Sequence, residues 1–156
     1  MEAVVFIGIQ GAGKSTFYQR RFFQTHVRIS LDLLKTRDRE RLFLQACILT
    51  RQPFVVDNTN VRAAERAKFI APAREAGFRV VGYFFDTPVK EAIRRNKQRT
   101  GRAVIPVAGL VGTHKRLEPP RLAEGFDLLY RVRIGTGEEE PEVEEWAGEP
   151  ETPPPI

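Results

Sequence analysis

Eight residues near the amino terminus, Gly8-Ile9-Gln10-Gly11-Ala12-Gly13-Lys14-Ser15, constrain this chain more than any other feature. They follow a continuous apolar run over residues 3–7 and open a stretch of helical composition from 14 to 24. Such a run suits a strand buried on both faces. Gly8, Gly11 and Gly13 let the backbone curl around Ala12 so that several N–H groups converge on one anion. The helix that follows turns its positive end toward the same point. In the spacing G-x-x-x-x-G-K-[ST], Lys14 reaches the outer phosphates of a nucleotide and the Ser15 hydroxyl is a ligand for Mg²⁺. Thr16 is placed for the innermost phosphate. At average residue frequencies the pattern arises by chance in roughly 0.5% of chains this long.

The remaining pattern alternates strand and helix, which predicts an α/β fold with a mainly parallel sheet. Strands are expected at 27–30, 53–57, 79–86 and 128–134. Helices are expected at 39–51, 62–76, from Pro88 to about 100, and at 107–117, with Leu42, Ala46 and Leu49 spaced for the buried face of the first. Pro72 should kink or break the second. From Gly135 the composition turns acidic and proline-rich. This predicts a core domain over 1–137 and a loosely held tail over 138–156.

Charge divides the same way. Residues 138–156 hold eight Glu and no Lys or Arg, which leaves 25 basic against 12 acidic residues in 1–137, a net of +13. A small domain that basic suggests an anionic partner such as nucleic acid, with the acidic tail attracted to the basic face. No apolar run approaches the ~20 residues needed to span a bilayer. The first residues lack the basic start and cleavage site of a secretory signal. The single Cys47 has no internal partner for a disulfide. A cytoplasmic chain without a membrane partner is expected, with Cys47 a packed thiol.

A phosphate loop implies a nucleotide and leaves the reaction open. The guanine-nucleotide signals are missing, because no Asp is followed by Gly three residues on and Arg99 stands where N-K-x-D would need Asp. Ligands of such sheets sit at the carboxyl ends of the strands, where Asp32 and Asp57 fall. Asp32 is the candidate base for an acceptor hydroxyl, with helix capping as its structural alternative. Asp57 ends the strand Phe54-Val55-Val56 and, with Asn58 and Thr59, is a candidate for the acceptor side or for a metal-bound water. Turn formation is the alternative there. Arg94, Arg95, Arg99 and Arg102 cluster around one helix end, where a segment carrying them could stabilise transferred phosphate. The alternative is a solvated basic face.

These residues resemble the kinase domain of polynucleotide kinases over about 3–134. The likeness rests on GIQGAGKSTF at 8–17, ISLD at 29–32, VVDNTN at 55–60 and RRNKQRTGRAVIP at 94–106. The resemblance implies a P-loop NTPase three-layer fold using ATP and Mg²⁺. It implies Asp32 as general base, Asp57 in support of the acceptor, and Arg95 and Arg99 as catalytic lid arginines, with Arg102 near the nucleotide. Lys35 stands where the phage type has an arginine that grips the acceptor. No D-x-D occurs, so the phosphatase fused in some members is not expected. The implied function is phosphorylation of a 5′-hydroxyl nucleic acid end. A small-molecule kinase acting on a nucleoside, sugar or antibiotic hydroxyl is the alternative, and a nucleotide-dependent regulatory module the third.

Overall fold

The computed structural model describes residues 1–98, 105–135 and 140–150. Five parallel strands, β1 (Glu2–Ile7), β2 (Val27–Ile29), β3 (Phe54–Val56), β4 (Arg79–Phe85) and β5 (Leu128–Arg133), stand in the order β2-β3-β1-β4-β5. A sixth, β6 (Glu142–Glu145), pairs antiparallel with β5 at the edge. Between the strands run α1 (Lys14–Arg21), α2 (Leu31–Leu34), α3 (Arg37–Thr50), α4 (Ala63–Glu75), α5 (Val89–Asn96) and α6 (Val107–Arg116).

Period-2 alternation along β1 sorts the core into two layers. Ala3, Val5 and Ile7 face Leu34, Leu44 and Cys47 together with Phe69, Ile70 and Ala73 of α4. Val4 and Phe6 face Phe17, Tyr18 and Phe22 on the α1 side. Phe6 meets Phe17, Phe22 and Phe85 at centroid distances of 5.8, 5.9 and 5.0 Å, so the helix after the phosphate loop is held by an aromatic cluster. The result is the expected three-layer α/β arrangement with a mostly parallel sheet.

Three expectations are corrected. The inward face of α3 is Glu40, Leu44 and Cys47, whereas Leu42 is 49% and Leu49 85% exposed. Both sets have helical spacing; Leu44 and Cys47 pack on the core, and Arg37 and Asn58 satisfy the Glu40 carboxylate that is buried with them. Pro72 lies in the last turn of an unbroken α4. At that position it forgoes only one bond, to the carbonyl of Lys68. The acidic stretch is not wholly a loose tail. β6 continues the sheet, and Trp146 stacks on Phe84 at 5.3 Å with the Arg131 guanidinium 4.6 Å from its ring. Composition reported the glutamates, while docking needed only two apolar residues, Val143 against the α1-side layer and Trp146, just past β6, against the opposite one.

Candidate active site

The ends of β1, β2 and β3 meet at the point where the strand order reverses, the usual ligand crevice of such sheets. The loop after β1 turns through two left-handed glycines, Gly11 at φ 78° and Gly13 at φ 90°. A side chain at Gly11 would come within 2.8 Å of the Ala92 carbonyl, and one at Gly13 would strike Ile134. Those close approaches explain why glycine stands at both positions. Lys14 Nζ donates to the carbonyls of Gly8 and Ile9, each at 2.8 Å.

The segment Asp57-Asn58-Thr59-Asn60 joins the strand ends. Asp57 is buried, and its Oδ2 accepts from Ser15 Oγ at 3.2 Å and from Arg28 Nε at 2.8 Å. Asn58 Oδ1 accepts from the Leu31 amide at 2.8 Å, and its Nδ2 donates to Glu40 Oε2 at 2.8 Å. The Thr59 carbonyl accepts from the Gly8 amide at 3.0 Å. Asn60, at φ 47°, donates to the Phe6 carbonyl at 2.8 Å. Beneath it the fully buried Arg66 donates to the Asn60 carbonyl and pairs with Glu124 at 2.7 and 3.0 Å. A charge that deeply buried is tolerable only when so fully hydrogen-bonded.

The Asn58 side chain, a candidate for the acceptor side, borders both the phosphate cleft and the cavity beside Asp32, and its two bonds pin the start of α2, on which Asp32 sits. Asp32 is the second residue of α2, with Ser30 in the capping position before it. Capping is therefore not its task. Its carboxylate is exposed to a cleft shared with Lys14, Ser15, Arg28 and Asp57, where Thr16 and Thr59 also lie. On the far side of Asp32 a cavity of about 220 Å³ is walled by Gln10, Arg37, Thr59, Asn60, Glu65 and Ile105. Gln10 Oε1 is buried there without a hydrogen-bond partner among the described residues. Lys35 lies elsewhere. It caps the end of α2 at φ 75° and lines neither cleft.

On the other flank of the loop, Arg95 reaches the chain after β5, donating to the carbonyls of Ile134 and Gly135 at 3.3 and 2.9 Å. With Arg20, Arg94, Thr16 and Pro141 it lines an open cleft beside Gly13. Arg94 is bonded to Glu91, which holds that carboxyl below its ordinary range and raises the guanidinium. Arg99 and Arg102 fall outside the described residues. The buried Asn96 lies in the 94–106 stretch and was given no role of its own from the sequence. Its amide bonds both backbone groups of Ile105, accepting from the Ile105 amide at 2.8 Å, and so brings that residue to the Asp32 cavity. Arg28, Arg37 and Glu40 also escaped sequence reasoning, since none belongs to a spaced motif. The nearest signal was the position of Arg28 immediately before ISLD.

The oxygen pair Ser15 Oγ and Asp57 Oδ2 suits a hard cation, and the Arg28 guanidinium already bonds to both. Among the described residues no group of three or more His, Cys, Asp or Glu is placed to hold a metal. Mg²⁺ at this pair would therefore depend on phosphate oxygens and water for its remaining ligands. No helix of the described residues is long and apolar enough to cross a membrane.

A family model described as an AAA domain matches residues 34–120, more than half of the chain. Among solved structures, the chain is similar to a gluconokinase from Sinorhizobium meliloti 1021, with 21% identity and a TM-score of 0.61 over 87% of this chain and 84% of that one. It is similar to Kti12 from Chaetomium thermophilum in complex with ADP-AlF3, at 16% identity and a TM-score of 0.63 over 87% and 91%. A third likeness is to a structure of the PezAT chromosomal toxin-antitoxin system of Streptococcus pneumoniae, at 18% identity and a TM-score of 0.54 over 85% and 68%. At these identities the likeness is one of fold, the three-layer α/β arrangement of P-loop NTPases.

Proposed function

The chain belongs to the AAA domain family, and from that premise and the chemistry of its clefts we propose that it is a phosphotransferase moving the γ-phosphate of ATP to a hydroxyl of a small polar compound. The observation that carries this reading is the meeting of Asp32, Lys14, Ser15 and Asp57 on one cleft with a second cavity adjoining Asp32. Neighbours named as a gluconokinase and solved with ADP-AlF3 support nucleotide use and a small acceptor. The cavity supports the same conclusion. It is smaller than the ~300–1,000 Å³ of sites for drug-sized ligands. Its walls combine polar and charged groups, Asp32, Arg37, Asn58, Thr59 and Glu65 among them, with the apolar Leu31 and Ile105, a mixture suited to a compact polyol.

In the proposed reaction the Asp32 carboxylate takes the proton of the acceptor hydroxyl. The acceptor oxygen bonds to the γ-phosphorus, the bond from that phosphorus to the bridging oxygen breaks, and ADP leaves. Lys14 and the loop amides balance charge on the phosphates. Ser15 and Asp57 would hold Mg²⁺, which when bound neutralises phosphate charge.

The net charge of +13 over residues 1–137 favours a second reading, in which the acceptor is the 5′-hydroxyl of a polynucleotide whose terminal sugar enters the cavity. Labelled phosphate transfer from ATP to a panel of sugars, polyols, nucleosides and 5′-hydroxyl oligonucleotides separates the two. Label on a small compound is the expected result. Label on oligonucleotides alone would establish the second reading, and ATP turnover with no labelled acceptor would point to a regulatory module.

A further inference from the structure

Arg28 has no place in the reaction above, yet it holds two of its oxygens. Its Nε donates to Asp57 Oδ2 at 2.8 Å and its Nη2 to Ser15 Oγ at 3.2 Å. The Ser15 hydroxyl in turn donates to the same Asp57 oxygen at 3.2 Å, closing a ring of three groups. The Asp57 side chain is 2% exposed and that of Arg28 28%, so the carboxylate is buried and its counter-charge reaches it from the open side. A buried carboxylate without a cation is strongly unfavourable. The planar fork of Arg28 supplies that cation and spans both oxygens, which a single ammonium does less well. β2, which carries Arg28, is the edge strand of the sheet, and the guanidinium lies over the rim of the Tyr18 ring, 6.0 Å from its centre. The side chain can therefore leave Asp57 without disturbing the core.

We propose that Arg28 is a tethered stand-in for the metal. It holds the Ser15–Asp57 oxygen pair in the nucleotide-free protein and yields it only when Mg²⁺ arrives together with phosphate. The inference rests on the reading of the loop as a Mg²⁺-nucleotide site. Mg²⁺ sheds water reluctantly and binds such sites through one or two protein oxygens plus substrate phosphates. Alone, it must displace a guanidinium already bonded to Ser15 Oγ and Asp57 Oδ2. With phosphate it gains further ligands, and the displaced guanidinium remains in the cleft, facing added negative charge. The device would keep free divalent metal off the site and couple its binding to that of nucleotide.

The test uses the full chain and Mn²⁺, a paramagnetic substitute for Mg²⁺, titrated without nucleotide and followed by the signal of the free ion. Arg28→Gln should bind Mn²⁺ about tenfold or more tightly than the unaltered protein, because the competing cation is gone. Mn²⁺ alone should also raise its melting temperature more than that of the unaltered protein. Adding Asp57→Asn to Arg28→Gln should abolish the gain. Arg28→Lys keeps a cation beside Asp57 without the fork and should be intermediate. It carries the comparison if Arg28→Gln fails to fold. Equal Mn²⁺ affinity across the folded variants, or a gain that survives Asp57→Asn, would overturn the proposal. Mg²⁺-dependent ADP binding by the unaltered protein, measured alongside, judges the nucleotide reading separately.

Discussion

The carboxylate of Asp32 faces the cleft, while that of Asp57 is enclosed by a guanidinium and a hydroxyl. Between them Asn58 bonds the Leu31 amide and Glu40, and thereby sets where Asp32 stands. Two substitutions should separate chemistry from placement. Asp32→Asn removes basicity and no hydrogen bond within the described protein. Turnover with the identified acceptor should fall about 10²-fold or more while the melting temperature holds. Asn58→Ala leaves the Leu31 amide and the buried Glu40 short of partners, which should cost about 1–3 kcal/mol in denaturant unfolding and slow turnover as well. Equal melting loss in both variants would make Asp32 a structural residue. Cys47 fits its sequence reading at this scale, a buried thiol pushed above its ordinary pKa by desolvation.

Among the elements, β6 is the one that composition concealed. Its alternation is carried by charged residues, with Val143 packed against the α1-side core and Glu142, Glu144 and Glu145 exposed. Trp146 anchors the strand, with its backbone amide donating to the Leu129 carbonyl at 2.9 Å and its ring against Phe84. Trp146→Ala should lower stability by about 1–3 kcal/mol, less than a fully buried aromatic because the residue is only partly buried. An unchanged melting curve would mean that β6 does not dock in solution. α3 makes the complementary point. Its inward face joins Leu44 and Cys47, packed on the core, to a carboxylate, Glu40, whose burial depends on Arg37 and on Asn58 of another element, so apolar spacing alone pointed to the wrong side.

At the scale of the whole molecule the charge division takes a different form from a basic domain with a trailing acidic tail. Glu144 sits 4.0 Å from Arg131 at the sheet edge, and Pro141 borders the cleft that holds Arg20, Arg94 and Arg95. Removing the acidic segment would strip an edge strand, so its electrostatic effect is better tested by replacing Glu142, Glu144 and Glu145 with Gln. Affinity for a single-stranded oligonucleotide, read by fluorescence anisotropy, should rise several-fold at low salt, and the gain should shrink as salt screens it. No gain at low salt would remove β6 from any role in repelling nucleic acid. Sequence alone determined the phosphate loop, the parallel α/β alternation and the positions of Asp32 and Asp57 at strand ends, because each depends on neighbours within a few residues. Tertiary structure decided the division of labour. Arg28 meets Ser15 and Asp57, Asn58 meets Glu40, Asn96 holds Ile105, and β6 finds β5, each through contacts between residues far apart in the chain that no local period encodes.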